Sequence, residues 1–226
     1  MVQKMLALAR ECGADLAGWA ALDRGELQLY SLLNAPEADP FRSALVVAKA
    51  HEFSALDNPL ALPTKAYDQD YRRLNNTLGE LVLGMEAQLR REGIHCLAVV
   101  PSETLDKEHQ RGLVSHRALA QRAGLGVRGR NNLLVTPEFR SRVRLAAILT
   151  DLRVPHVPEL IVPYPCVQCN RCREACPSGA LGENPTDYRL DRCLARLENI
   201  QSSEMSPRIC GICLAVCPGL DLDQFA

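Results

Sequence analysis

Apolar positions along the chain follow two rhythms. Tyr67, Tyr71, Leu74, Leu78, Leu81, Met85 and Leu89 recur at steps of three and four, which predicts a long amphipathic helix over 65–91 stopped by Gly93. Residues 1–12 read as a shorter helix of the same kind, and 111–123 as another. Short, dense apolar runs at 16–22, 44–48, 95–101 and 144–150 predict strands, with a further strand beginning at Leu133. Turn residues Asp23, Arg24 and Gly25 close the first strand, and 124–132 form a glycine-rich loop. Four or five strands interleaved with helices predict an α/β domain over 1–153. Pro155, Pro158, Pro163 and Pro165 then mark a connection to a second domain at 154–226.

Composition narrows the function classes. A chain of 226 residues with 47% hydrophobic positions can bury a substantial core, and a net charge of −1 gives no global attraction to polyanions. Aromatics at 4% argue against a base-stacking nucleic-acid surface. No apolar run reaches the length of a membrane helix, and the charges at Lys4, Arg10 and Glu11 interrupt any signal-peptide core. A cytoplasmic protein is expected. Ten cysteines in that compartment point to metal binding rather than disulfides.

Eight of the ten cysteines form a two-part pattern, the chain's only internal repeat. Cys166, Cys169, Cys172 and Cys176-Pro177 follow Cys-x2-Cys-x2-Cys-x3-Cys-Pro, the spacing of bacterial ferredoxin cluster ligands. Cys210, Cys213 and Cys217-Pro218 repeat it, with the leading cysteine displaced upstream to Cys193. One tight loop wraps three corners of an iron–sulfur cubane, and the fourth thiolate then comes from the other run. Applied here, Cys166, Cys169, Cys172 and Cys217 hold one [4Fe–4S] cluster, and Cys176, Cys193, Cys210 and Cys213 hold the second. Paired Cys-x2-Cys elements also build all-cysteine zinc sites, but zinc does not require the x2-x2-x3-Cys-Pro run, which favours iron–sulfur. Cys12 and Cys96 fall outside the pattern and read as buried, inert thiols.

Between 117 and 144 lie Arg117, Arg122, Arg128, Arg130, Arg140, Arg142 and Arg144, with Gly124, Gly126 and Gly129 among them. Glycines admit a close backbone approach and arginines bind anions bidentately, so the segment can cradle an anionic group; a solvated face with ordinary turns is the plainer reading. Arg117-Ala118-Leu119-Ala120, Ala123-Gly124-Leu125-Gly126, Gly129-Arg130-Asn131, Ala147–Asp151 and Cys176-Pro177-Ser178-Gly179-Ala180 resemble the signature of epoxyqueuosine reductases, best over 111–218. The resemblance implies a nitroreductase-like α/β sandwich followed by a small ferredoxin-like domain with two [4Fe–4S] clusters. It also implies a cobalamin reduced by the clusters, for which Arg128, Arg130, Asn131 and His116 are the candidate contacts. The family's catalytic acid falls on Gln110, which cannot donate a proton as an acid would. The family's helical-repeat tail, which grips tRNA, would follow Cys217, where this sequence has nine more residues. His116 reads either as an acid or axial ligand in place of the family's group, or as an ordinary satisfied histidine.

Three functions follow in order. The first is an oxidoreductase whose clusters feed a corrinoid or other redox cofactor on the α/β domain. The second is a non-catalytic carrier passing electrons to or from a partner enzyme. Action on tRNA as an epoxyqueuosine reductase ranks third, with nucleic acid an unfavoured partner.

Overall fold

A computed structural model of the chain describes residues 1–23, 26–38, 40–156, 166–183, 187–200 and 209–220. Arg24 and Gly25 of the expected turn, and Pro158, Pro163 and Pro165 of the expected connection, lie outside the described residues. In chain order the elements are α1 (Val2–Glu11), β1 (Leu16–Ala21), α2 (Ala35–Ala38), β2 (Ser43–Ala50), α3 (Lys65–Arg91), β3 (Cys96–Val99), α4 (His116–Arg122), β4 (Val127–Arg128), β5 (Leu134–Val135), β6 (Val143–Thr150), α5 (Arg171–Ala175), α6 (Leu190–Ile200) and α7 (Ile212–Ala215). The chain divides into two units, each assembled from separated segments.

The first unit takes residues 1–49, 75–126 and 144–161. Its four-stranded sheet has the order β1-β2-β6-β3. β1 pairs antiparallel with β2, Trp19 opposite Leu45, and β3 antiparallel with β6, Leu97 opposite Leu149. The apolar stripe of α3 explains its place: Leu78, Leu81, Val82, Met85 and Leu89 bury against Met5 and Ala9 of α1 and against Trp19, Leu45, Val47, Ala146 and Ile148 of the sheet. α4 approaches β1 at Gly18, where an added Cβ would stand 2.9 Å from the Ala123 carbonyl oxygen. Helices pack against β1 and its neighbours, so β2 is buried at every position from Ser43 to Ala48. Ser43 and Thr150, the polar residues this burial traps, satisfy each other at 2.9 Å, and Ser43 also donates to the Leu152 carbonyl.

The second unit takes residues 50–74, 127–143 and 162–226, so the cysteine segment shares its unit with the start of α3 and with the glycine-rich stretch. Leu56, Leu62, Tyr67, Ile209, Ile212, Leu214 and Ala215 form its core, with Tyr71 and Leu133 packed on it. α5 and α7, each carrying the third cysteine of its run, pack together. β4 and β5 pair as a two-stranded ribbon, Val127 opposite Val135. The expected glycine-rich loop is therefore a small hairpin, and the strand expected from Leu133 ends after two residues.

α3 has the bounds its periodicity predicts; Gly93, at φ +79°, turns the chain out while the Gly93 and Ile94 amides donate back to Arg90 and Leu89. The helix expected over 111–123 is shorter. Asp106 and Arg111 exchange backbone hydrogen bonds, Gln110 sits at φ +52°, and Ser115 caps α4 by accepting from the Ala118 amide. That local turn outcompetes one further helical turn. Among the described residues no helix is long and apolar enough to cross a membrane.

Candidate functional site

Cys166, Cys169, Cys172 and Cys217 line one cavity, together with Arg130, Asn131, Val135, Pro218 and Gly219. Three of the thiols come from the first run and the fourth from the end of the second. Cys172 sits on α5 and is buried; burial, then the neighbouring Cys166, Cys217 and Cys169, push its thiol up to about 11, against the pull of the Arg130 charge. The thiols ring a space rather than meet at a point, and among the described residues no three His, Cys, Asp or Glu side chains are gathered to hold a metal ion.

The other four cysteines also act on one another. Burial and then Cys210, Cys172, Cys193 and Cys176 drive the Cys213 thiol far up. Burial raises Cys193, with Cys176 and Cys210 adding to it and the Tyr188 hydroxyl opposing. Cys176 goes the other way: burial raises it, but a hydrogen bond with Ser178 Oγ at 3.5 Å and the amides of Ala180, Ser178 and Gly179 together favour the thiolate. Cys172 acts on Cys213, so the two groups adjoin.

Residues 130–142 clasp both runs. The Arg130 amide donates to Cys166 Sγ at 3.4 Å, and its guanidinium donates to the carbonyls of Cys166 (2.8 Å), Gly182 (2.9 Å) and Glu183. Asn131 Nδ2 donates to the Cys213 carbonyl at 3.2 Å. Ser141 Oγ donates to the Leu214 carbonyl and Arg142 Nη2 to that of Ala215. Arg130 and Asn131, expected to face a cofactor, are thus buried against the cysteine loops, while Arg128 donates to Asn132 Oδ1. The arginine excess serves separate partners: Arg122 pairs with Glu26 at 2.7 Å, and Arg144 donates to Asn75 and Ser102. Sequence reasoning gave Ser141 no role and counted Arg142 only within the charge excess. Neither carries a spacing signal; an arginine just ahead of a buried strand is the one hint.

His116 opens α4, half-buried, with Nε2 3.2 Å from the Val99 carbonyl oxygen. Burial holds its imidazole down at about 4, with Arg144 and Arg117 adding to the effect, so near neutral pH it is uncharged and donates Nε2–H to Val99. An imidazole that stays neutral suits a ligand better than an acid. Gln110 folds its amide back onto the Lys107 carbonyl. On the same turn His109 Nδ1 meets Asp106 Oδ2 at 2.9 Å. His51 pairs with Asp70 at 2.7 Å in the second unit, and His95 stacks on Phe41. Cys96 is buried as expected; Cys12, expected buried, is exposed, because it falls at the solvent-facing end of α1.

No protein-family model matches the chain. It is 35% identical over 116 residues to an epoxyqueuosine reductase of Bacillus subtilis, a match covering 47% of this chain and 29% of that protein. It is 32% identical over 180 residues to an epoxyqueuosine reductase of Lactococcus garvieae, covering 70% of this chain and 49% of the relative. The chain thus spans from less than a third to about half the length of these curated relatives. In structure it is similar to the epoxyqueuosine reductase of Streptococcus thermophilus (TM-score 0.63, 23% identity, 96% of this chain and 64% of that one). It is also similar to a reductive dehalogenase whose structure suggests a mechanism for B12-dependent dehalogenation (TM-score 0.72, 20% identity, 94% of this chain and 31% of that one). The chain is a homologue of epoxyqueuosine reductases and shares a mixed α/β fold with them and with reductive dehalogenases.

Proposed function

We propose that the chain is an iron–sulfur redox protein whose two [4Fe–4S] clusters deliver electrons to a corrinoid or other redox group on its α/β domain, here taken as nitroreductase-like. Cys166, Cys169, Cys172 and Cys217 would hold one cluster, and Cys176, Cys193, Cys210 and Cys213 the other. The observation that carries the reading is the shared cavity of four cysteines, one of them 45 residues beyond the nearest of the other three in sequence. Cys172 is poorly ionised on its own, and an iron centre there would take the place of its proton and favour the thiolate. Asn131, Ser141 and Arg142 hold the carbonyls of the second run, and the Arg130 amide points a hydrogen bond at Cys166 sulfur, a contact that tunes a cluster's potential.

A corrinoid would supply a redox-active metal centre able to accept the electrons. His116 is its proposed contact on the first unit. His116 fits: its ring is neutral, one nitrogen is engaged by Val99, and the other makes no hydrogen bond among the described residues. Such clusters belong in a reducing compartment, the cytoplasm.

The second reading is a carrier that hands electrons to a partner protein. Gln110 favours it, since an amide folded onto Lys107 provides no acid at the family's position. Titrating cobalamin into anaerobically reconstituted protein separates the two. The expected result is a saturable change in the visible spectrum, followed by cobalt reduction when the clusters are reduced. An unchanged spectrum with cobalamin in large excess overturns the corrinoid version and leaves the carrier.

A further inference from the structure

Two arginines of the cysteine unit are buried with no carboxylate paired to them among the described residues. Arg130 is 3% exposed and Arg142 is 7% exposed. Among the described residues neither forms an ion pair. Among the described residues the guanidinium of Arg130 donates only to backbone carbonyls, and that of Arg142 to one carbonyl while lying 4.6 Å over the Phe53 ring. Nε of Arg130, and Nε and Nη1 of Arg142, are buried and have no hydrogen-bond partner among the described residues. Asp57 acts on Arg142 only from beyond ion-pair reach, and Arg140 repels it. Carbonyl dipoles satisfy donors but do not neutralise a charge, and an uncompensated buried charge is among the costliest features a fold can carry.

Their surroundings name the missing partner. Arg130 lines the cavity of Cys166, Cys169, Cys172 and Cys217 and its amide donates to Cys166 Sγ, while Arg142 donates to the carbonyl of Ala215, two residues before Cys217. Four thiolates around a cubane leave a net negative charge, which grows by one when the cluster accepts an electron. We infer that the guanidiniums of Arg130 and Arg142 are the built-in counter-charge of this cluster and raise its reduction potential. The inference rests on the four cysteines being cluster ligands. Arginine keeps its proton throughout, so reduction adds one electron and no proton, and the favourable Coulomb interaction simply deepens.

The test is an EPR-monitored redox titration of the full chain, reconstituted anaerobically, with iron content measured on each sample. Wild type should show two potentials. Arg130→Gln should lower one of them by about 59 mV, a tenfold poorer reduction equilibrium for one electron, and leave the other in place. Arg130→Lys keeps the charge but loses the fork of carbonyl hydrogen bonds, and should stay close to wild type. Arg142→Gln should lower the same potential. Should the glutamine variants lose half their iron while Arg130→Lys keeps all of it, the requirement for charge is met at assembly instead. Full iron with an unmoved potential in both glutamine variants, or lysine and glutamine variants shifting alike, would mean a structural clasp and overturn the inference. Wild type without iron would fail the cluster reading itself, and this inference with it.

Discussion

Cys172→Ala is expected to cut iron from about eight to about four atoms per chain and to remove one of the two cluster signals. Cys172 sits on α5, buried at the wall of the four-cysteine cavity, where Cys166, Cys169 and Cys217 surround its sulfur. Alanine leaves one iron corner without a thiolate and cannot recruit water as a substitute in so buried a place. Because site and fold are coupled through the metal, the second unit should also melt earlier. Electron delivery should fall to background, since relay needs both clusters. Cys96→Ala supplies the control: Cys96 is equally buried, but it lies in β3 of the first unit, its sulfur near the Glu86 carbonyl. Its iron content should equal wild type. Unchanged iron in Cys172→Ala would remove this cysteine from the ligand set.

Gly211→Ala should destabilise the protein by about 2–4 kcal/mol and impair assembly of the second cluster. Gly211 caps the start of α7 at φ +82°, a left-handed conformation that costs any residue with a Cβ. The added carbon would also stand 2.7 Å from Tyr67 Cε1 and 3.1 Å from Cζ. Tyr67 cannot step aside: it is 4% exposed, with the His51 ring centroid 5.4 Å and the Tyr71 centroid 6.4 Å away. The strain falls between Cys210 and Cys213, displacing both. Gly93→Ala separates the two costs, for Gly93 has φ +79° but nothing within 4 Å of an added Cβ. Denaturant melts should show about 1 kcal/mol for Gly93→Ala and clearly more for Gly211→Ala. Equal losses at the two glycines would mean that the Tyr67 contact carries no weight.

The local part of this fold was legible from residues alone. The stripe from Tyr67 to Leu89 gave α3 its bounds, and the dense apolar runs marked β1, β2, β3 and β6, because burial on one helix face or along a strand imprints a short period. What failed was any feature decided by competition or by distance. The Asp106–Arg111 turn and the Ser115 cap shorten α4 against its propensity. Hydrophobic periodicity says nothing about which separated segments meet, so the gathering of 50–74 and 127–143 with the cysteine segment had no signal. The cysteine spacing singled out Cys166, Cys169, Cys172 and Cys217, and these four do line one cavity; the first three, at such short intervals, stay close whatever the rest of the fold does. Arg130 and Asn131 read as contacts for an upstream cofactor because glycines and arginines advertise anion binding generally; a guanidinium spent on three carbonyls leaves no motif.

Iron and acid-labile sulfide, measured together on anaerobically purified wild-type protein, test the central claim most directly. Two cubanes predict about eight of each per chain. Stoichiometric zinc without labile sulfide would contradict the account.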